Sequence, residues 1–372
     1  MIATRGFPPF FAVVACAVTC GGKTETPPLR DSPDASNLHD ASAATVDGNT
    51  GTLDGSIADA PGDVALPDAS VSLRPASCRP EAPGAAYDCG ANHDDDCCAS
   101  PVVPGGKFLR FYDGEVYKST SFPATISTLR IDKYEITVGR FRQFVEAYPA
   151  SKPKAGDGAH PKIPGSGWQA SWPIAADQTA LRQVLSDPSQ CPPIYPPNTV
   201  TTWTDSPGPN EHKPMSCVTG YELFAFCAWD GGRLPTAAER NYTASGGSEQ
   251  RVYPWSVPPG STVVDQSYAV YTTDQKNPPP GPDDVGNRPK GAGKWGQLDL
   301  GSNVIERVLD GNASPGDCID CAVIDGYTPG GILEGGGWGG EANNMMNASD
   351  GSPIESPGFR GAGLGGRCAR SL

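Results

Sequence analysis

The sequence predicts a loop-rich fold of short helices and short strands, with little regular secondary structure. Glycine and proline number 46 and 39 among 372 residues, and only 37% of the residues are hydrophobic, which is below the usual share for a globular domain. Apolar and aromatic runs predict short strands at residues 108–112 and 129–134. Capping residues predict three short helices, and most of the chain after residue 246 is expected to be loop.

The three helices are predicted from the residues at their N-termini. Thr137 precedes a stretch whose apolar residues fall on one face of a helix. Thr219 and Glu222 form a capping box, in which the hydroxyl and the carboxylate satisfy free amides of the first turn. Thr236 and Glu239 form a second capping box. The second and third helices therefore flank a short glycine- and proline-containing turn.

Charge and cysteine content limit the class of protein. The net charge of -14 argues against nucleic acid as a partner, because phosphate binding needs clustered lysine and arginine. Solubility is the simplest interpretation of that charge. Twelve cysteines with only four histidines favour disulfides in an oxidising compartment over a zinc site.

The first 20 residues are predicted to be a lipoprotein-type signal peptide. Arg5 precedes an apolar run at residues 7–19, which is too short to span a bilayer as a mature helix. Cys16 and Cys20 are the two candidate lipidation sites. Cys16 follows the better small and branched residues, whereas Cys20 is followed by two glycines. The pattern is similar to a bacterial lipoprotein signal, and an ordinary cleaved signal peptide is the alternative.

Residues 21–77 are predicted to be a disordered acidic linker. They contain no aromatic residue and are rich in Asp, Ala, Ser, Thr, Pro and Gly, so they cannot bury enough apolar surface to offset the entropy of ordering. The linker would hold the folded domain away from the membrane. The protein would contact that membrane through its lipid anchor only. We therefore expect a cell-envelope location, lipid-anchored in the periplasm or at the outer-membrane surface, or secretion.

A cysteine-rich segment, residues 78–104, follows the linker and precedes a globular domain at residues 105–372. Its aspartates at 94–96 beside His93 form either a cation site or a solvated acidic loop, and the loop is favoured. Its four cysteines can pair in three ways, among which the sequence does not choose: they are Cys78, Cys89, Cys97 and Cys98.

Four sequence blocks carry a resemblance to a known family. Residues 227–255, CAWDGGRLPTAAERNYTASGGSEQRVYPW, contain a Cys-x-Trp, an Arg-Leu-Pro-Thr and a Tyr-Pro-Trp. Three further blocks follow in order: KWGQLDLGSNVIE at 294–306, GGGW at 335–338 and GRCAR at 366–370. Together they resemble the formylglycine-generating-enzyme, or sulfatase-modifying-factor, family. The resemblance implies a compact, loop-rich α+β fold related to C-type lectins.

The resemblance also implies one disulfide. Cys227 and Cys368 match two positions that are paired in eukaryotic members of the family. We predict the remaining pairs of the domain as Cys191 with Cys217 and Cys318 with Cys321. The last pair has the spacing of a redox motif, but no thioredoxin-like βαβ context surrounds it.

A calcium site is implied by the block at residues 294–306. The positions that match the family's ligands are the side chains of Asp299 and Glu306 and the carbonyls of Ser302 and Val304. Calcium prefers six to eight hard oxygen ligands, so carboxylates and carbonyls in one loop suit it. The alternative is that both acids accept hydrogen bonds from local amides.

The family's oxidase chemistry is not expected in this chain. It needs two cysteines shortly after the block that ends at Trp338, where their thiolates bind Cu(I), but residues 335–352 contain no cysteine. Met345 and Met346 are thioethers that cannot serve as thiolates, and packing is their expected role. Copper is therefore not an expected cofactor, while calcium is.

Other departures from the family's pattern argue against its substrate binding. Glu334 stands where an arginine is common, Arg240 stands where the signature has a tryptophan, and Gly366 replaces a phenylalanine. A related iron chemistry needs three clustered histidines, whereas the domain has only His160 and His212.

Two functional hypotheses follow. The first is an exported, lipid-anchored and non-catalytic module that binds a protein, a peptide or a glycan. The second is a formylglycine-generating-enzyme-like oxidoreductase with altered metal chemistry. The intact framework with an emptied catalytic segment favours the first.

Overall fold

The structure is a computed structural model that describes residues 74–372 with short gaps. The gaps are residues 80, 195–199, 313–315, 350 and 355. The predicted signal peptide, Cys16, Cys20 and the linker up to residue 73 lie outside the described residues. No helix in the described part is both long and apolar enough to cross a membrane.

Four α-helices occur in the described residues, and three of them were predicted. Thr137 caps α1 by accepting a hydrogen bond from the Arg140 amide, and both predicted capping boxes are present in α3 and α4. The fourth helix, α2, lies in a proline-rich stretch and is capped by Asp177. The helices are α1 (Val138–Glu146), α2 (Gln178–Ser186), α3 (Gly220–Trp229) and α4 (Ala237–Ala244).

Short strands form three small sheets. The order is β1-β4-β10 in the first sheet, β2-β3-β6 in the second and β8-β7-β5-β9 in the third. β4 covers only the first three residues of the strand predicted at 129–134, and β2 overlaps the strand predicted at 108–112 by two residues, because the chain leaves the extended conformation at Phe111. The strands are β1 (Val102–Val103), β2 (Gly106–Leu109), β3 (Pro123–Ile126), β4 (Leu129–Ile131), β5 (Ile305–Arg307), β6 (Cys318–Ile319), β7 (Ile332–Glu334), β8 (Ser352–Pro353), β9 (Leu364–Gly365) and β10 (Ala369–Ser371).

The main hydrophobic core lies between α1 and α3. Phe141 stacks on Phe226 with 5.6 Å between the ring centroids, and Phe144 packs edge-on against Trp229. Apolar residues of the two helices face each other here, as the periodicity of α1 predicts. This core therefore holds α1 and α3 against each other.

Five disulfides contain every cysteine of the described residues. The three predicted pairs are present, and the cysteine-rich segment adopts one of its three possible pairings. The disulfides are Cys78–Cys98, Cys89–Cys97, Cys191–Cys217, Cys227–Cys368 and Cys318–Cys321.

The cysteine-rich segment packs directly on the domain. Its four cysteines lie in one cluster with Tyr134, Val285 and Leu298. Its predicted acidic loop is partly neutralised, since Asp95 pairs with Lys133 and the hydroxyl of Tyr134 donates to Asp95 at 2.8 Å. The cysteine-rich segment therefore makes apolar and charged contacts with the domain that follows it.

Removing the Cys227–Cys368 disulfide should strongly destabilise the fold, because it closes a loop of 141 residues in sequence separation. In the chain-entropy model the double change Cys227→Ala/Cys368→Ala costs about 5 kcal/mol. Loss of the Cys318–Cys321 disulfide, whose cysteines are three residues apart, costs about 2 kcal/mol. Urea unfolding of this variant and of Cys318→Ala/Cys321→Ala measures the difference. Equal losses of stability would contradict the expectation.

Candidate ligand-binding site

Glu306, the central residue of the predicted calcium site, lies in a buried ion-pair cluster. Arg367 donates to both of its carboxylate oxygens at 2.7–3.0 Å, and Arg240 donates at 3.3 Å. All three side chains are buried. Burial alone would raise the pKa of Glu306, but the two guanidinium charges outweigh burial and hold that pKa below its usual value.

Two further buried carboxyls adjoin this cluster. Asp299 accepts a hydrogen bond from the Gly286 amide at 2.6 Å, and burial raises the pKa of Asp299 to about 6. Glu135 accepts from the Asn303 side chain at 2.7 Å and the Val304 amide at 3.0 Å. Burial and the neighbouring carboxylates raise the pKa of Glu135 well above its usual value. No motif in the sequence marks Glu135.

The contacts of these residues do not fit a calcium ion. Both carboxylate oxygens of Glu306 already accept hydrogen bonds from arginine side chains. Among the described residues, no three carboxylate, histidine or cysteine ligand atoms near Glu306 lie within 4.8 Å of one another. Two cationic neighbours would repel a divalent cation. These contacts argue against the predicted calcium site, and the unfolding temperature measured with and without calcium tests that prediction.

Arg240 belongs to this cluster and is also a position where the sequence departs from the family's pattern. It replaces the tryptophan of the family's signature, and its guanidinium also donates to the Leu300 carbonyl. The substituted residue thus supplies part of the positive charge that faces Glu306.

The segment that lacks catalytic cysteines packs as apolar core and loop. Trp338 is buried, and its amide donates to the Asn303 carbonyl at 2.8 Å. Met345 is buried among aromatic residues that include Trp255, and Met346 packs against the same cluster. With the described cysteines all in disulfides, this part of the chain offers no pair of thiolates to a soft metal. The expectation about copper stays a prediction.

A cavity of about 440 Å³ lies beside the first half of α4 and the strand β7. Its size is in the range of small-molecule sites. Apolar and polar side chains both line it. The apolar ones are Phe111, Phe122, Ala237, Ala238, Ile332 and Pro353, and the polar ones are Arg110, Asn241, Asp310, Asn312 and Glu334.

Asp310 is the buried acid of this cavity. Its oxygens accept hydrogen bonds from the Ala237 amide at 2.8 Å, in the first turn of α4, and from the Val323 amide at 3.0 Å. Burial nevertheless raises the pKa of Asp310 to about 7. The buried Arg110 guanidinium donates to the Gly316 carbonyl. Burial lowers the pKa of Arg110, and the Asp310 charge opposes that shift.

Asn241 lines the cavity and carries a buried acceptor without a hydrogen-bond partner. Its amide nitrogen donates to the Asn347 carbonyl, which fixes the orientation of the amide group. The remaining oxygen, Oδ1, is buried and has no hydrogen-bond partner. Buried polar atoms are almost always paired, so this oxygen is an exception among the described residues.

The cavity as a whole favours a donor-rich ligand. Asn241, Asp310 and Glu334 all bring acceptor oxygens to its lining, and Glu334 is the acid that stands where the family commonly has an arginine. The rings of Phe111 and Phe122 add an apolar wall. Sequence reasoning noted Glu334 but missed Asn241 and Asp310, because neither belongs to a recognisable catalytic motif.

Loss of the Arg367 guanidinium should cost much more stability than loss of a surface arginine. The change Arg367→Met leaves Glu306 buried without its main counter-charge, which costs about 3–5 kcal/mol. Arg182→Met removes an exposed pair with Asp205 and should cost at most about 1 kcal/mol. Urea unfolding of both variants measures the two values. Similar losses would contradict the role of the buried pair.

The high pKa of Asp310 should make stability depend on pH. Its folded value of about 7 exceeds the unfolded value of about 3.9, so the folded protein holds a proton that the unfolded chain releases. This carboxyl therefore lowers the free energy of unfolding as the pH rises from about 4 to about 7. The change Asp310→Asn removes the titration.

The stability of the Asp310→Asn variant relative to the wild type should rise across that pH window. Urea unfolding over the same pH range measures the slope, which is independent of any fixed cost of the substitution. The same change at exposed Asp94 is the control. A wild-type slope in Asp310→Asn would contradict the shifted pKa.

Comparison with known proteins places these features in a family. A family model described as "Sulfatase-modifying factor enzyme 1-like domain" matches residues 88–372. The chain is 26% identical over 207 residues to the formylglycine-generating enzyme of Bos taurus, covering 47% of this chain and 51% of that protein. It is 26% identical over 164 residues to "Inactive C-alpha-formylglycine-generating enzyme 2" of Mus musculus, covering 41% of this chain and 49% of that protein. The chain spans about half the length of the curated relatives it matches.

Solved structures with a similar arrangement include PvdO from Pseudomonas aeruginosa. That alignment has a TM-score of 0.47 and 21% identity, and it covers 73% of this chain and 93% of that one. The family match covers more than three quarters of the chain, includes all four sequence blocks and agrees with the mixed fold of short elements. The chain therefore belongs to the sulfatase-modifying-factor, or formylglycine-generating-enzyme, domain family.

Proposed function

We propose that this protein is an exported, lipid-anchored and non-catalytic member of its family that binds a ligand in the cavity beside α4. The observation that carries the proposal is the set of acceptor side chains, Asn241, Asp310 and Glu334, in the lining of this cavity. Carboxyl and amide oxygens of this kind accept hydrogen bonds from a ligand with a hydroxyl or an N–H group.

The lack of thiol chemistry supports a binding role over the family's oxidase activity. The described cysteines are held in disulfides, and the segment after Trp338 contributes a buried methionine where the family's chemistry needs thiolates. One relative in mouse is itself named as inactive. A scaffold whose described cysteines are all held in disulfides is better suited to recognition than to thiolate chemistry.

The chemistry of the cavity supports a glycan or a peptide as the bound group. Sugar hydroxyls and peptide N–H groups both donate hydrogen bonds to the oxygens of Asn241, Asp310 and Glu334. The cavity holds only a small group, so a larger partner would insert one residue or one sugar. The predicted linker and signal peptide support presentation of this surface outside the cytoplasm.

Screening of the full-length protein against glycan and peptide arrays tests the proposal. Binding should weaken about tenfold or more in Asn241→Leu, because the ligand donor then faces an apolar group. Asn277→Leu, a change at an exposed residue outside the cavity, should leave binding unchanged. Binding that survives Asn241→Leu would exclude this cavity as the site.

The same preparation tests the alternative, an oxidoreductase with altered metal chemistry. Stoichiometric copper or iron in protein purified from its native compartment would support the alternative. Conversion of a Cys-x-Pro-x-Arg peptide to an aldehyde in the presence of Cu(I) and oxygen would contradict a non-catalytic role.

Lipid anchoring should depend on a single cysteine. Replacing the modified residue, in either Cys16→Ala or Cys20→Ala, should move the protein from the detergent phase to the aqueous phase in a detergent-partition assay, because the acyl chains provide the membrane affinity. The other substitution is the control. Aqueous partitioning of the unsubstituted protein would contradict the anchor and favour secretion.

A further inference from the structure

A second groove, which shares no lining residue with the cavity, is rich in arginine. It has a volume of about 560 Å³ and lies where the cysteine-rich segment meets the end of α3 and the strands β4 and β10. The chain carries a net charge of -14, so a local excess of positive charge needs an explanation. The four arginines are Arg74, Arg79, Arg130 and Arg370.

Two of these arginines face each other across strands. Arg130 and Arg370 are directly opposite in the antiparallel pairing of β4 with β10, an arrangement that is destabilising for like charges. Arg370 is neutralised by Asp132 and Asp230. Arg130 is exposed and donates to the Ser100 carbonyl at 2.9 Å, and no carboxylate in the described residues pairs with it.

Arg79 is a second exposed arginine in this groove. Its Nε donates to the Arg74 carbonyl at 3.2 Å, and it has no carboxylate partner within the described ranges. The neighbouring Cys78–Cys98 disulfide holds this part of the chain beside Ser100. Two guanidinium groups with unused N–H donors therefore line one groove.

The floor of the groove is held by a buried network. Arg140 donates to Asp132 at 3.0 Å, to Asp230 at 2.6 Å and to the Ser77 hydroxyl at 3.0 Å, and all four side chains are buried. The Ser77 amide in turn donates to Asp230 at 2.8 Å. These contacts attach Ser77, the last residue of the predicted linker, to the domain beside the groove, so residues 74–77 are ordered although they were predicted to be disordered.

We infer that this groove binds an oxyanion, phosphate or sulfate, either free or as the terminal ester of a larger molecule. Among its lining residues only Asp96 and Asp230 are acidic, and each already pairs with an arginine. Arg79 and Arg130 line the same groove and pair with no carboxylate of the described residues. The planar guanidinium presents parallel N–H donors that match the oxygens of phosphate and sulfate. This inference is independent of the ligand in the cavity.

Titration of the full-length protein with inorganic phosphate and with sulfate tests the groove, with chloride used to hold the ionic strength constant. Isothermal calorimetry should detect binding to the wild type that weakens about tenfold or more in Arg79→Gln/Arg130→Gln. The control is Lys118→Gln/Lys276→Gln, which removes two positive charges from exposed side chains outside the groove and should bind as the wild type does.

Three results would overturn the inference. They are an absence of binding to the wild type, undiminished binding by Arg79→Gln/Arg130→Gln, and equal weakening in both double variants, which would indicate general electrostatic attraction. Asn241→Leu should bind phosphate normally, so failure of the cavity proposal and failure of this one are distinguishable.

Sugar esters distinguish a free anion from a phosphate or sulfate group that terminates a larger molecule. Glucose 6-phosphate and glucose 6-sulfate are compared with the free ions, and glucose is the uncharged control. Tighter binding of an ester than of its ion supports a terminal group on a larger molecule, whereas binding of the ions alone supports a free anion. Binding of glucose with the affinity of its esters would contradict recognition of the charge.

Discussion

The buried pair of Arg367 with Glu306 is the interaction on which the rest of the domain depends. Besides the carboxylate, Arg367 donates to the carbonyls of Asp132, Lys133 and Leu298. It therefore joins the last sequence block to the strand β5, to the segment that precedes α1 and to the loop before β5. A buried guanidinium with so many partners is costly to remove, because each partner would be left unsatisfied inside the protein.

The same cluster shows that this member keeps the scaffold of its family while individual side chains differ from the family's pattern. Arg240, in place of a tryptophan, adds a second positive charge against Glu306. No cysteine lies between Trp338 and Cys368, and a buried methionine joins an aromatic cluster in that segment. The cavity beside α4 meanwhile has an acceptor-rich lining that includes Glu334. The framework contacts are thus kept beside side chains that depart from the family's pattern, since such contacts need only complementary charge and packing.

Local interactions were the most predictable part of the fold. The two capping boxes link residues three apart, so their geometry follows from the local sequence. The helix α2 was not predicted, because it lies in a proline-rich stretch that is typical of irregular structure, although Asp177 provides its cap. The strands from β5 to β10 have only two or three residues each, which is too short for an alternating pattern to be visible.

The sequence by itself determined the family, through four ordered blocks, and the absence of cysteine from the segment where catalysis would occur. Tertiary structure decided the pairing of the four N-terminal cysteines, the arginine partners of Glu306, and the two concave sites. Asn241, Asp310 and Arg110 meet at the cavity from three distant segments, and Arg79 and Arg130 meet at the groove in the same way. The physical reason is that motifs record neighbours along the chain, whereas a binding site is made by packing residues that are far apart in sequence.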